Sequence, residues 1–292
     1  MAHQFKHIIV GGGIAGASAI EGIRMRDVSG SIALFGKENR LPYDRPPLSK
    51  GLWLGKATID QLPVYPQSFY SSNSVHLFLG TEVCEIDVKK SQVVDRSGKR
   101  FTYEKLLIAT GGAPRLLSFG EGVVHYFRTV DDYVELRDAT KSLDSFLLIG
   151  GGFIGAELAA ALSVIGKQVT MIFPDRWVLQ KVLPADLAEY VTRYYRDKGV
   201  TVISEDVPTN AVRSDGKTKV TTRSGKTITT DMTIAVIGLN LHLEMAKHAG
   251  LKVENGIVVN SLLQTSVSSV FAAGDVANFP AASLDKLIRI EH

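Results

Sequence analysis

The chain has 292 residues, 45% of them hydrophobic and 22% charged, with a formal net charge of +3, which is material for two cores of ordinary size. Lysines and arginines alternate with acids and form no basic block, so nucleic acid is excluded as an expected partner. No apolar run approaches the roughly 18 to 20 residues of a membrane span, and the first six residues lead directly into apolar sequence; neither a span nor a signal peptide is expected, and the cytoplasm is the expected location. Cys84 is the only cysteine, which excludes an intrachain disulfide and a cysteine-only metal site; no metal is expected.

The stretch from His7 to Ala17 is an apolar run, His7-Ile8-Ile9-Val10, that breaks into Gly11-Gly12-Gly13 and resumes at helical spacing through Ile14, Ala17, Ile20 and Ile23. It reads as strand, tight turn and helix (residues 14–26). Gly11, Gly13 and Gly16 fill the G-x-G-x-x-G spacing, in which the glycines allow the turn, the approach of a pyrophosphate and the packing of helix on strand. The free amides and positive dipole end of the helix then face phosphates. A strand follows at 31–35, and Glu38 lies 22 residues past Gly16, near the distance at which a carboxylate meets a ribose. The proline-rich run from Leu41 to Trp53 cannot be an ordinary helix and reads as a stiff loop ending in a short helical turn. That loop holds Arg45 and Lys50 as candidate phosphate or cofactor cations.

A short helix is expected at 65–73 and strands at 75–79, 82–88, 92–95 and 100–102, with Ser97-Gly98 as a hairpin turn. Residues 103–112 read as a strand buried on both faces that ends in a glycine pair. Helical spacing over 129–142 leads into a second unit, Phe146 to Ala156, where Gly150, Gly152 and Gly155 repeat the first glycine pattern 139 residues later. Its helix (153–165) carries Glu157 among apolar residues, and a charge there needs a partner, for which Lys50 is the candidate. The strand 168–173 ends on Phe173 where an acid is usual, and the first acid is Asp175, followed by Arg176. A helix (185–198), a hairpin at Ser224-Gly225 and strands at 232–238, 257–260 and 270–275 complete the pattern. Asp275 ends the last strand as either a crevice carboxylate or a helix cap.

These residues resemble the FAD-dependent pyridine nucleotide reductases across the chain. Gly11 to Gly16 with Glu38 is similar to their FAD fingerprint, and Leu107 to Gly112 resembles their Ala-Thr-Gly strand. Gly150 to Gly155 is similar to their NAD(P) site, and Thr265 through Asp275 to their closing motif. Pro42 to Lys50 resembles the signature of the branch that holds ferredoxin, rubredoxin and putidaredoxin reductases and apoptosis-inducing factor. The resemblance implies an α/β protein of two Rossmann-like domains, each with an antiparallel insert. The FAD domain would be residues 1–115 with 250–292, and the NAD(P) domain 116–249, without the family's C-terminal interface domain. It implies FAD contacts at Gly11, Gly13, Ile14, Ala15, Gly16, Glu38, Arg45, Lys50, Val83, Ala109, Thr110, Gly111, Arg115, Gly274, Asp275, Glu291 and His292. The nicotinamide cofactor, NADH or NADPH, would meet Gly150, Gly152, Phe153, Ile154, Gly155, Asp175, Lys181 and Gly238.

Lys50 paired with Glu157 would be the catalytic pair beside the flavin N5. Two departures from the family stand out: Lys37 occupies a position that is usually acidic, and the stretch Gly238 to His242 lacks the usual proline. The function implied is transfer of electrons from NAD(P)H through flavin to a small iron–sulfur protein, since Cys84 alone cannot run disulfide chemistry. An NADH-sensing flavoprotein like apoptosis-inducing factor is the alternative. The surface that an interface domain would cover is expected to favour self-association.

Overall fold

The apolar run before the first glycine turn forms the strand His3–Val10 in a computed structural model of the chain, in which residues 3–290 are described. Its isoleucines, valine and phenylalanine suit a buried pleated surface, and it lies between two parallel neighbours, Ile32–Phe35 and Arg100–Ile108. Val75–Phe78 extends the sheet parallel to Ile32–Phe35, and Val270–Ala272 pairs parallel with Arg100–Ile108. Two antiparallel strands, Gln92–Asp95 and Val83–Asp87, continue the sheet beyond Arg100–Ile108. The sheet is packed by Phe5, Ile8, Val10, Phe35, Phe101 and Leu106 on one side and by Ile9, Ile20, Ile32, Leu34 and Tyr70 on the other.

A second sheet is built alike from five parallel strands, in the order Thr201–Ile203, Gln168–Ile172, Ser145–Ile149, Met232–Ala235 and Val124–Tyr126. The helix Phe153–Val164 follows its glycine turn, and Pro208–Ser214, Lys217–Thr222 and Thr227–Thr230 form a three-stranded antiparallel insert. This is the doubly wound arrangement in which the order of strands reverses beside the first one, leaving a crevice at their carboxyl ends.

The chain divides into two compact units. One takes residues up to Asp44, Leu62–Ala113 and the chain from Leu241 onward; the other takes Arg45–Gln61 and Pro114–Asn240. The crossings fall at 113/114 and 240/241 instead of the expected 115/116 and 249/250, the second because Leu243 and Ala246, before and on the helix Glu244–His248, are buried in the core of the first unit. From Arg45 onward the proline-rich segment belongs to the second unit rather than the first. There Trp53 is buried, its ring edge-on to Tyr133 at 5.3 Å, its Nε1 donating to the Leu48 carbonyl at 2.7 Å.

Some expected elements change length. Residues 100–102 and 103–108 are one strand, paired at its start with Gln92–Asp95, and Glu104 and Lys105 are exposed, so burial on both faces is not continuous. The strand expected over 232–238 ends at Ala235, and that over 270–275 at Ala272. The helix expected over 129–142 runs over Val130–Ala139, opened by a capping box between Thr129 and Asp132.

Each sheet is tied at its amino end by an aspartate. Asp27 Oδ2 lies 2.8 Å from His7 Nε2 and 2.9 Å from Lys6 Nζ, and the Gly30 amide donates to its other oxygen. Asp231 Oδ2 accepts from the Ser145 hydroxyl and amide, both at 2.8 Å. Hydrogen bonds from His7 and then Lys6 hold the Asp27 carboxyl well below the usual carboxylate range, and those from Ser145 do the same for Asp231. A depressed folded-state pKa stabilises the fold above the unfolded value of about 3.9, and that contribution shrinks progressively as pH falls from about 5 toward the folded-state value. Thermal melts at pH 7 and pH 3.5 should show a drop in Tm on acidification that is smaller in Asp27→Asn and Asp231→Asn. An equal drop in the variants would remove these carboxylates from the acid response.

Candidate functional site

In the first unit Val10, Phe35, Ile108 and Ala272 all end at the same edge of the sheet. The residues that follow them are Gly11–Gly16, Gly36, Ala109–Gly111 and Gly274–Asp275. Gly11 has φ +133°, and a Cβ there would lie 2.0 Å from the Ala109 carbonyl oxygen, so only glycine lets the turn pass the neighbouring strand. The helix Ile14–Arg24 starts from Gly13 with no side-chain cap, in contrast to the capped helix at Thr129. Nothing lies within 4 Å of where a Gly13 Cβ would be. An uncapped helix start facing open space leaves amides and dipole available to phosphates, which fits a dinucleotide.

Beyond Phe35 the two candidate side chains part. Lys37 reaches Glu82 at 3.1 Å, whereas Glu38 Oε2 accepts from the buried Tyr43 hydroxyl at 2.6 Å. Glu38 is therefore a fixed carboxylate one residue past the Lys37 position. Val83 points its side chain into the core, leaving only its backbone for a ligand. Ala109 is buried, and the Thr110 hydroxyl donates to the His242 carbonyl at 3.2 Å. Asp275 is 9% exposed in the turn Gly274–Val276, whose cap position is Ala273, so the capping role weighed for Asp275 does not hold. Glu291 and His292 lie outside the described residues. Arg45, Lys50 and Arg115 belong to the second unit, and the first unit's edge does not include them.

The second unit repeats the design. Gly150 has φ +132°, and a Cβ there would lie 2.5 Å from the Val236 carbonyl oxygen. The helix Phe153–Val164 starts from Gly152 without a side-chain cap, with Phe153 61% exposed beside Ile154 and Gly155. Phe173 directly follows its strand, almost fully buried, its ring against Gly151, where any Cβ would meet it at 2.7 Å. That packing displaces the carboxylate to Asp175. The loop after it folds back, with the Leu179 amide donating to the Gly151 carbonyl at 2.8 Å. Asp175 Oδ2 lies 3.6 Å from Lys181 Nζ, and the Arg176 guanidinium lies over the Trp177 ring at 4.9 Å. Gln180 Oε1 accepts from the amides of Arg176 and Trp177 at 3.0 and 3.1 Å, a brace that sequence reasoning missed. Gly238, at φ +99°, accepts from the Arg115 amide at 2.9 Å.

The proline-rich segment brings a charged cluster to the same unit. Lys50 Nζ lies 3.1 Å from Glu157 Oε1, and the Ser49 hydroxyl donates to Glu157 Oε2 at 2.6 Å. Arg45 Nη1 donates to the Arg128 carbonyl at 2.6 Å. Ser49 was also missed; a hydroxyl directly beside the lysine proposed for Glu157 was the available signal.

Two glycine turns, each at the carboxyl edge of its own parallel sheet and each opening an uncapped helix, define a protein built to hold two dinucleotides. The chain belongs to the pyridine nucleotide-disulphide oxidoreductase family, whose model matches residues 5–288. It is 33% identical to monodehydroascorbate reductase from Pisum sativum over all of this chain and 72% of the relative. It is 34% identical to putidaredoxin reductase CamA from Pseudomonas putida over 97% of this chain and 69% of that one. The crystal structure of the covalent putidaredoxin reductase–putidaredoxin complex matches with a TM-score of 0.94 at 33% identity, covering 98% of this chain and 71% of that one. Members of the family bind FAD and NAD(H), and the chain is an NAD(P)H-dependent oxidoreductase of this kind. Among the described residues no helix is long and apolar enough to cross a membrane.

Proposed function

We propose that this chain passes electrons from NADH through FAD to a small iron–sulfur electron-transfer protein, in the cytoplasm. The observation that carries this reading is the pair of dinucleotide-type edges in a sequence with one cysteine, Cys84. A redox cysteine pair cannot form within this sequence, so electrons leave the flavin for an acceptor rather than for a disulfide. The putidaredoxin reductase relative and the complex with putidaredoxin support an iron–sulfur acceptor.

The first unit is assigned to FAD. The helix start at Gly13–Gly16 binds the pyrophosphate, Glu38 accepts from a ribose hydroxyl, and Val83, Ala109–Gly111, Gly274 and Asp275 line the remainder. Arg45 and Arg115 are assigned to FAD by family resemblance, as are Glu291 and His292. The second unit is assigned to NADH, with the pyrophosphate at Gly152–Gly155, the adenosine ribose at Asp175, and Lys181 and Gly238 beside it. When bound, FAD supplies one ring that accepts a hydride and releases single electrons. By the same resemblance Lys50, held by Glu157, would supply positive charge for the negative charge that builds on the reduced ring.

The carboxylate of Asp175 suits a ribose 2′-hydroxyl, and Arg176 is engaged on Trp177 instead of being turned to a 2′-phosphate. A preference for NADH over NADPH of about tenfold in kcat/KM is expected, the worth of one hydrogen bond to a charged group. Asp175→Ala should abolish it. A higher kcat/KM with NADPH in the wild type would show that Arg176 faces the ribose.

The function is tested by reducing the FAD-loaded protein anaerobically with NADH and mixing it with a putidaredoxin-type ferredoxin, a rubredoxin or monodehydroascorbate. Reoxidation at turnover rates by an iron–sulfur protein supports the reading. Fast reoxidation by monodehydroascorbate alone would move the acceptor to the chemistry of the pea relative. Persistence of the reduced form for minutes with every acceptor would favour an NADH sensor.

A further inference from the structure

We propose that Ser49 is a positioning residue of the flavin site: it fixes one oxygen of the Glu157 carboxylate so that the other is presented to Lys50. The inference rests on the assignment of Lys50 and Glu157 to the flavin reaction. Lys50 is 55% exposed at its side chain, and an exposed lysine on a rotatable carboxylate is a weakly held pair. Ser49 is different in kind. It is 6% exposed, and its hydroxyl has little water to return to if the hydrogen bond to Glu157 is lost. The contact of 2.6 Å is a short, charge-assisted one.

The backbone explains how two consecutive residues reach one carboxylate. Pro46–Ser49 is a single 3-10 turn stiffened by two prolines, with its hydrogen bond from the Lys50 amide to the Pro47 carbonyl. Lys50 then leaves the helical region at φ −129°, ψ −93°. Ser49 and Lys50, which a regular strand would turn to opposite faces, thereby converge on Oε2 and Oε1 of Glu157. Glu157 itself stands on the helix Phe153–Val164 between the buried Ala156 and Leu158. The helix fixes where the Glu157 stem begins, and the Ser49 hydrogen bond at one oxygen restricts rotation of the carboxylate at its end. The lysine finds its counter-ion already in place.

The test uses the full chain and a readout that needs no flavin. Carbodiimide activates Glu157, and peptide mapping gives the fraction that ends as an isopeptide bond to Lys50 rather than being hydrolysed. Ser49→Ala should lower that fraction about tenfold, the effect of losing a hydrogen bond to a charged group. Ser49→Cys, of similar size but a weak donor, should lower it likewise. In the FAD-loaded protein Ser49→Ala should also slow reduction by NADH, and add nothing in a Glu157→Gln background. An unchanged isopeptide fraction in both Ser49 variants would overturn the proposal, as would equal slowing in the two backgrounds. If the fraction falls while Lys50→Ala reduces at the wild-type rate, the role given to Lys50 fails and the positioning by Ser49 stands.

Discussion

Gly11→Ala is expected to cost the first unit roughly 3 to 5 kcal/mol and to abolish retention of FAD. Two effects add. At φ +133° a side chain is strained whatever the space, and the new Cβ would sit 2.0 Å from a backbone oxygen, that of Ala109, which directly follows a central strand and is held there by its amide's hydrogen bond to the Val10 carbonyl at 2.8 Å. Gly13→Ala is the informative contrast. It lies at the helix cap with φ −103° and has open space where the Cβ would go. The fold should persist with an unchanged Tm while FAD affinity falls, because the methyl narrows the approach of a phosphate rather than the packing of the protein. Thermal melts of the apoprotein and FAD titrations separate the two. Equal stability in Gly11→Ala and wild type would show that the turn is not pinned by the neighbouring strand.

Lys50→Ala and Glu157→Ala should each slow flavin reduction by NADH about tenfold to a hundredfold while FAD stays bound, the lower part of the range for removing one preorganised charge from a reaction centre. The two need not match in stability. Removing Lys50 leaves a carboxylate that still accepts from Ser49, whereas removing Glu157 leaves the buried Ser49 hydroxyl only the Pro46 carbonyl at 3.5 Å, at a further cost of about 1 kcal/mol. Stopped-flow reduction and urea denaturation of the two variants check both halves. Wild-type reduction rates in both would take the pair out of the reaction.

The sheets and their glycine turns were legible in the sequence because each rests on local chemistry: an apolar run of strand length, a glycine that alone fits the turn, and an apolar stripe at helical spacing. The helices Ile14–Arg24 and Phe153–Val164 start at the residues the glycine spacing marks and stop within two residues of the expected ends. What could not be read depends on partners far along the chain. Leu48, Leu52 and Trp53 have no period that names their neighbour, and the ring that receives Trp53 is Tyr133. In the sequence Phe173 stands where a ribose acid is expected; in the fold its ring packs against Gly151, and the carboxylate shifts to Asp175. The Glu157–Lys50 pair follows from a lone charge in an apolar helix, whereas the place of Ser49 beside Lys50 is a weak signal, since a serine in a proline-rich turn is common.

Anaerobic titration of the FAD-loaded protein with NADH, followed at the flavin absorbance band, asks whether one chain binds a flavin and a nicotinamide nucleotide and passes a hydride from one to the other. Bleaching of the band complete at one equivalent of NADH, with the flavin still bound to protein after gel filtration, is the expected result. A band unchanged by excess NADH, or protein that retains no FAD to reduce, would contradict the proposed function.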